Sequence, residues 1–237
     1  MLKVEGLTAG YGRLQVLLEV SSLFSRREIS VIVGPNGSGK STLLKSIFGL
    51  TKIYSGSIKL EGHELVGLAP HEIAKRAVAY LPQTENIFEP LTIKENFVMA
   101  GYLRDEKVAD KTDSYTDMFP VLKDRMRKKA GTLSGGERQM LAMAMAVIRE
   151  PTVILFDEPT ANLAPIMARE VFNKIVELRD TLGITPVIVE QNAKRALQMA
   201  DTCYLLVGGK VAFEGKPCEL LANPELSRLY LGVKAEA

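Results

Sequence analysis

The stretch Gly34-Pro35-Asn36-Gly37-Ser38-Gly39-Lys40-Ser41 spaces three glycines, a lysine and a hydroxyl in a pattern suited to holding phosphate. Glycines let backbone N–H groups converge on phosphate oxygens, and a helix starting at the end of the loop adds its dipole. Lys40 is expected to reach the β- and γ-phosphates of a nucleotide, and the Ser41 hydroxyl to ligate Mg²⁺. Thr42 can add a second hydroxyl contact to a nearer phosphate. A second element, Val153-Ile154-Leu155-Phe156-Asp157-Glu158-Pro159, ends an apolar run in two adjacent carboxylates, which is costly unless a metal or partner compensates them. Side chains alternate along a strand, so the two acids divide the work. Asp157 fits as the outer-sphere partner of Mg²⁺, and Glu158 as the group that polarises an attacking water, because phosphoryl transfer depends on positioning and charge stabilisation. A terminal Asp-Glu pair alone is more often a solvated strand end; beside a complete phosphate loop the catalytic assignment is preferred. A third polar cluster, Glu190-Gln191-Asn192, closes the short β-branched run Val187-Ile188-Val189.

Positioning these groups requires buried strands feeding helices. Ile29 to Val33 is a continuous apolar run of the kind buried on both faces, and helical spacing follows from Ser38 to Leu50. Leu2 to Leu7 and Leu14 to Leu23 alternate as strands, with Ala9-Gly10-Tyr11-Gly12 expected as the turn. Further strands are expected over Ser57 to Leu60, Val78 to Leu81, Val153 to Phe156 and Pro186 to Val189. Pro165 to Leu182 reads as a helix with proline at its start, and Ser134 as the N-cap of a helix from Gly135 to Ile148 with Glu137 in its first turn. Gly208-Gly209 between Cys203 to Val207 and Lys210 to Glu214 signals a hairpin. Strands alternating with helices predict one α/β domain over residues 1–237, built on a mostly parallel sheet, with an N-terminal antiparallel β part and a helical lobe inserted at about 86–150.

The bulk numbers narrow the partners. With 30 basic and 28 acidic residues the net charge is +2, which gives no support to a nucleic-acid footprint. The densest basic run, 123–129, is better read as a solvated face or turn. The two cysteines, Cys203 and Cys218, have no metal spacing, and a reduced cytosolic chain is expected. No apolar stretch reaches the length needed to span a bilayer, and none at the N-terminus has signal-peptide character.

Leu133-Ser134-Gly135-Gly136-Glu137, lying between the phosphate loop and the Asp-Glu strand, resembles the signature sequence of the ATP-binding cassette (ABC) family, and the match covers nearly the whole chain. The resemblance implies a P-loop NTPase (RecA-like) core that binds ATP and Mg²⁺ and works as a head-to-tail pair. Each ATP then lies between the loop Gly34 to Thr42 of one cassette and Ser134, Gly135, Gly136 and Glu137 of the other. It places Tyr11 as the aromatic stacked on adenine, Val16 against the base or ribose, and Gln83 as the glutamine that senses Mg²⁺ and the attacking water. Residues 84 to 97 would help form the groove for a coupling helix of a membrane subunit. Two departures mark this chain. Ala164 stands where the usual loop has aspartate before proline, and Gln191 stands where most cassettes carry a histidine; His63 and His71 are too far upstream to substitute.

Together with the tail Leu229-Tyr230-Leu231-Gly232, these departures resemble the second ATPase subunit of branched-chain amino-acid importers. That likeness implies a peripheral protein at the cytoplasmic face of the membrane. Its partners would be transmembrane permease subunits, a second cassette (a copy of itself or a histidine-bearing one) and an extracytoplasmic substrate-binding protein. An exporter motor for lipid or other cargo, a soluble cassette without a transport role, and a nucleotide-binding regulator with little hydrolysis stand as alternatives. In the resemblance, Glu158, Gln191 and Lys40 form the catalytic set. Gln191 can donate a hydrogen bond to the γ-phosphate but cannot carry imidazolium charge.

Overall fold

The computed structural model describes residues 1–84, 86–101, 117–191 and 193–226. The described residues form two sheets. The first is four-stranded and antiparallel, in the order β2-β1-β4-β5, with β1 at Leu2–Tyr11, β2 at Leu14–Phe24, β4 at Lys52–Leu60 and β5 at His63–Glu64. The second is six-stranded, in the order β10-β9-β3-β8-β7-β6. Its strands are β3 (Ser30–Val33), β6 (Val78–Leu81), β7 (Val153–Asp157), β8 (Thr185–Val189), β9 (Thr202–Val207) and β10 (Lys210–Gly215). All neighbours in it are parallel except the β9–β10 hairpin.

The continuous apolar runs of the parallel strands follow from burial on both faces. Val31, Ile154, Phe156, Ile188 and Leu205 point into one core, shared with the helices, whereas Ile32, Val153, Leu155, Val187, Val189 and Leu206 point into a second. That second core fills the space between the two sheets with Leu2, Leu7, Leu17 and Phe24 from the antiparallel sheet and Leu43, Leu44 and Ile47 from helix α1 (Lys40–Ile47). Leu18 N donates to Gly209 O at 2.8 Å and Gly209 N donates to Ser38 O at 3.1 Å, so the β9–β10 turn bridges the antiparallel sheet and the phosphate loop.

Several boundaries differ from the sequence reading. The expected turn at Ala9 to Gly12 is instead strand up to Tyr11, with the turn at Gly12-Arg13. Register shifts between Leu7 and Gly10 keep Ala9 opposite both Leu17 and Ile53, so β1 stays paired on both sides. β4 begins at Lys52 rather than Ser57, because the irregular pairing around Gly56 (φ 93°) hides its alternation. The short β5 and helix α2 (Pro70–Lys75) carry too few apolar residues to have been visible. Between β6 and β7 the described chain is helical: α3 (Ile93–Gly101), α4 (Pro120–Lys123), a 3₁₀ turn at Ala130–Thr132, and α5 (Gly135–Val147). Helix α6 spans Pro165–Leu182, the bounds expected from its leading proline, and is followed by α7 (Ala193–Met199) and α8 (Pro217–Ala222). Residues 229–232 lie outside the described residues.

Candidate functional site

Four adjacent parallel strands, β3, β8, β7 and β6, all release their chains at the same edge of the sheet. The loop Gly34 to Gly39 leaves β3, Gln191 follows β8, Asp157 ends β7 with Glu158 next to it, and Gln83 follows β6. Residues spread over more than 150 positions of chain therefore meet at the carboxyl ends of the strands, where α/β sheets place their ligand sites.

The phosphate loop is packed too closely to be an arbitrary turn. A Cβ on Gly34 would lie 2.0 Å from Leu206 O, and its φ of 150° disfavours other residues. Lys40, 5% exposed, bends back so that Nζ donates to Gly34 O at 2.8 Å and Pro35 O at 3.0 Å. Burial pulls its ammonium below the ordinary lysine range, while the charges of Glu158 and Asp157 act in the opposite sense. Ser38 Oγ is buried without a hydrogen-bond partner among the described residues. A phosphate oxygen at this loop would give that hydroxyl and the lysine ammonium the acceptor they are built to meet, so the cradle fits a nucleotide phosphate chain.

The metal-binding expectation rests on a direct contact. Ser41 Oγ donates to Asp157 Oδ1 at 2.7 Å, and Tyr80 OH donates to Asp157 Oδ2 at 2.9 Å. A hydroxyl and a carboxylate, both oxygen donors, suit Mg²⁺, which takes few protein ligands beside substrate oxygens. Tyr80 stacks at a tilt on Phe48, with ring centroids 5.6 Å apart, and its phenol is held protonated chiefly by burial and then by the Asp157 charge. Sequence reasoning did not single it out, because nothing in the pattern Val78 to Leu81 tells which side chain turns toward the acid.

Glu158 occupies the left-handed region at φ 50°, a conformation that costs a non-glycine residue about 1–3 kcal/mol. Its backbone N–H donates to Val189 O at 2.9 Å, which fixes the turn against β8. Burial raises its carboxyl above the ordinary glutamate value, opposed by Lys40 and reinforced by Asp157. Gln83 Nε2 donates to Glu158 Oε2 at 3.0 Å, and Gln191 Nε2 donates to Asn36 Oδ1 at 3.0 Å. Gln83 thus touches the acid after β7, and Gln191 the phosphate loop.

Tyr11 is 44% exposed at the end of β1, and Val16 is half-buried with a methyl beside the position a Cβ on Gly39 would take. Ser134 caps α5: its hydroxyl accepts from Glu137 N, and Glu137 Oε2 accepts from Ser134 N at 2.9 Å. The other oxygen of Glu137 accepts from Arg125, so this carboxylate is committed to the cap and to an ion pair, and those bonds hold it below the ordinary carboxylate range. Arg125 belongs to the basic run 123–129, whose Lys123 pairs with Asp117. Gly136 lies against α6, where a Cβ would come within 2.2 Å of Met167 Cε. Ser134 and Gly135 remain exposed, and Gly135 lines a cavity of 620 Å³ with Gln83, Phe88, Arg138, Asn162 and Leu163. His63 and His71 are exposed, Cys203 is buried and Cys218 exposed, and no group of three metal-ligating His, Cys, Asp or Glu occurs among the described residues. No described helix is long and apolar enough to cross a membrane.

Comparison with known proteins places this geometry. Residues 17–161 match the family described as ABC transporter. The chain is 50% identical over 234 residues to a probable branched-chain amino acid transport ATP-binding protein, LivF, of Archaeoglobus fulgidus, covering 98% of this chain and 99% of the relative. It is 40% identical to the high-affinity branched-chain amino acid transport ATP-binding protein BraG of Pseudomonas aeruginosa, covering 98% of this chain and 100% of that one. Among solved structures it is similar, with a TM-score of 0.79 and 26% identity over 92% of this chain and 99% of the other, to a dimeric ATP-binding cassette in a post-hydrolysis state with ADP and Pi.

Proposed function

Because the chain belongs to the ABC transporter family, we propose that it is the ATP-hydrolysing subunit of an importer for branched-chain or related amino acids. The observation that carries the reading is the 2.7 Å bond between Ser41 and Asp157, which joins the phosphate loop to the metal-binding acid. The cargo follows from the two relatives named for branched-chain amino acid transport, each matched over almost its whole length.

In this reading Ser41 would ligate Mg²⁺ with Asp157 as its outer-sphere partner, and the ion would supply charge neutralisation on the nucleotide phosphates. Lys40 exchanges the Gly34 and Pro35 carbonyls for phosphate oxygens. Glu158 accepts a hydrogen bond from the attacking water, and its raised pKa brings it closer to a useful base at neutral pH. Gln83 would release Glu158 Oε2 to admit that water and would be a further oxygen donor toward the metal. Gln191 holds the γ-phosphate side of the site by hydrogen bonding alone. Tyr11 and Val16 flank the adenine and ribose. Ser134, Gly135 and Gly136 present a helix N-terminus to the nucleotide of a second cassette. Within that loop Glu137 supports the cap. Within the stretch 84–97, residues 86–90 line the cavity beside Gln83 and would help seat a permease coupling helix.

The partners are two permease subunits, a second cassette and an extracytoplasmic substrate-binding protein, with this chain peripheral at the cytoplasmic face. Because Gln191 supplies no imidazolium, a histidine-bearing partner cassette is the favoured pairing. The test is reconstitution of the complex in liposomes, with ATP hydrolysis measured as the binding protein is loaded. Stimulation by leucine, isoleucine or valine is expected. Basal hydrolysis that none of these stimulates would overturn the cargo assignment, and lipid-stimulated hydrolysis would point to an exporter.

A further inference from the structure

Glu190 follows β8 and is 2% exposed, so an ionisable carboxyl has been taken out of water directly before Gln191. Such burial is costly unless donors compensate it, and here they come from two different loops. Oε1 accepts from Thr160 N at 3.0 Å and from Thr160 Oγ1 at 2.7 Å. Oε2 accepts from Gln191 N at 3.1 Å. Its own N–H donates to Ile32 O at 3.3 Å, anchoring the residue to β3. Thr160 belongs to the turn of Glu158, in which Ala161 N donates to Glu158 O at 3.1 Å. One rigid carboxylate therefore holds the turn that carries Glu158 with one oxygen and the backbone that carries Gln191 with the other. The space around it is a cavity of 420 Å³ that Glu158, Asn162, Gln191 and Arg195 also line.

We propose that Glu190 is a positioning residue that fixes Gln191 relative to Glu158, so that the two loops move as one unit. This rests on the hydrolytic reading above. A neutral hydroxyl at position 190 would reach one loop; the two divergent oxygens of a carboxylate reach both. Asn162, two residues beyond Thr160 and held at φ 60°, continues the same turn into the partly exposed stretch 161–165.

Two measurements test this. The first reads the coupling without hydrolysis, by amide hydrogen exchange in the full chain. Glu190→Ala should speed exchange of the Thr160 and Gln191 amides by about tenfold or more, since each loses its acceptor. Glu190→Gln, which is isosteric and serves if the alanine variant does not fold, keeps the Thr160 acceptor but turns an NH₂ toward Gln191 N–H. It should speed exchange at Gln191 and leave Thr160 protected. Unchanged exchange at both amides in either variant overturns the proposal. The second measurement is a double-mutant cycle in the reconstituted transporter. Glu190→Ala should lower kcat about tenfold with KM for MgATP within about twofold, and Gln191→Ala should add less than about twofold in that background. Full multiplication of the two factors, or a loss confined to KM, overturns it. Absence of hydrolysis in the unaltered complex overturns the functional reading alone, and the exchange result then stands by itself.

Discussion

Gln191 and Asn36 lie 155 positions apart in the chain and are joined by a 3.0 Å hydrogen bond from the glutamine amide to the asparagine carbonyl oxygen. The residue after β8 is thereby docked on the exposed shoulder of the phosphate loop. An amide in this place holds position but does not titrate, which separates this site from one built on histidine. In the reconstituted transporter Gln191→Ala is expected to lower kcat about tenfold, the loss of a hydrogen bond to a charged group. Gln191→His should restore hydrolysis and introduce a limb in the pH–rate profile near pH 6.5 that the unaltered protein lacks. Equal activity of the alanine and glutamine forms would show that Gln191 only fills space.

Glu158→Gln should abolish turnover by a factor on the order of 10²–10⁴ while leaving MgATP binding intact, so that nucleotide remains bound in a trapped complex. It should also stabilise the free chain at neutral pH. The carboxyl is raised in the folded state mainly by burial, so between its unfolded and folded pKa the native state holds more protons, and stability falls as pH rises through that window. The melting temperature of the variant should exceed that of the parent at pH 7, and the gap should close toward pH 4. A gap independent of pH would sink this account.

Lys40→Met is expected to weaken MgATP binding by at least about a hundredfold, because a buried ammonium is the only lysine inside the cradle. The apo protein should nevertheless melt higher. Burial depresses the lysine pKa, so between the folded and unfolded values the native state binds fewer protons, and below that window the charge at this position opposes folding in full. Calorimetry of the two proteins with and without nucleotide separates the effects. Equal melting temperatures without nucleotide would contradict the burial argument.

Tyr80→Phe removes the donor to Asp157 Oδ2 and leaves the ring stacked on Phe48. Losing a supporting bond of this kind costs about 10–100-fold in metal affinity. The spectroscopically measured affinity for Mn²⁺ in the presence of ATP should fall by that order, with nucleotide binding in a chelator unchanged. Unaltered metal affinity would leave Tyr80 a packing residue.

Ser134→Ala removes one half of a reciprocal cap and should destabilise the protein by about 1 kcal/mol. For a chain of this length that corresponds to a fall in melting temperature of roughly 2–4 °C. The hydrolysis rate of the assembled transporter should fall more steeply than stability alone explains, since the proposed assembly sets the same N-terminus against the partner's nucleotide. A rate that merely tracks the melting temperature would confine Ser134 to capping.

What was legible in the sequence was contiguous along the chain. Gly34 to Ser41 and Val153 to Glu158 carry their chemistry within a few residues, and the capping box at Ser134 and Glu137 is a spacing of three. The α6 helix was readable to the residue because proline marks its start and the left-handed Gly183 its end. Contacts made by folding were not legible. Nothing near Glu190 indicates that its acceptors will meet Thr160, 30 residues upstream, and nothing near Tyr80 indicates Asp157, 77 residues away. The strand character of Ala9 to Tyr11 was hidden by register shifts, which break the two-residue period that sequence reasoning follows.

The turn residue Gly209 gives the cradle a further property. Its N–H holds Ser38 O, its carbonyl holds Leu18 N, and a Cβ there would fall 2.1 Å from Val16 O. The loop is stapled to a rigid seam between two sheets, so its conformational entropy is lost when the chain folds rather than when a nucleotide arrives. The same seam joins the antiparallel sheet to the cradle: Tyr11 and Val16 ride on strands tied to it through backbone, so in the proposed binding mode base and phosphate would meet one stiff body rather than two independent ones.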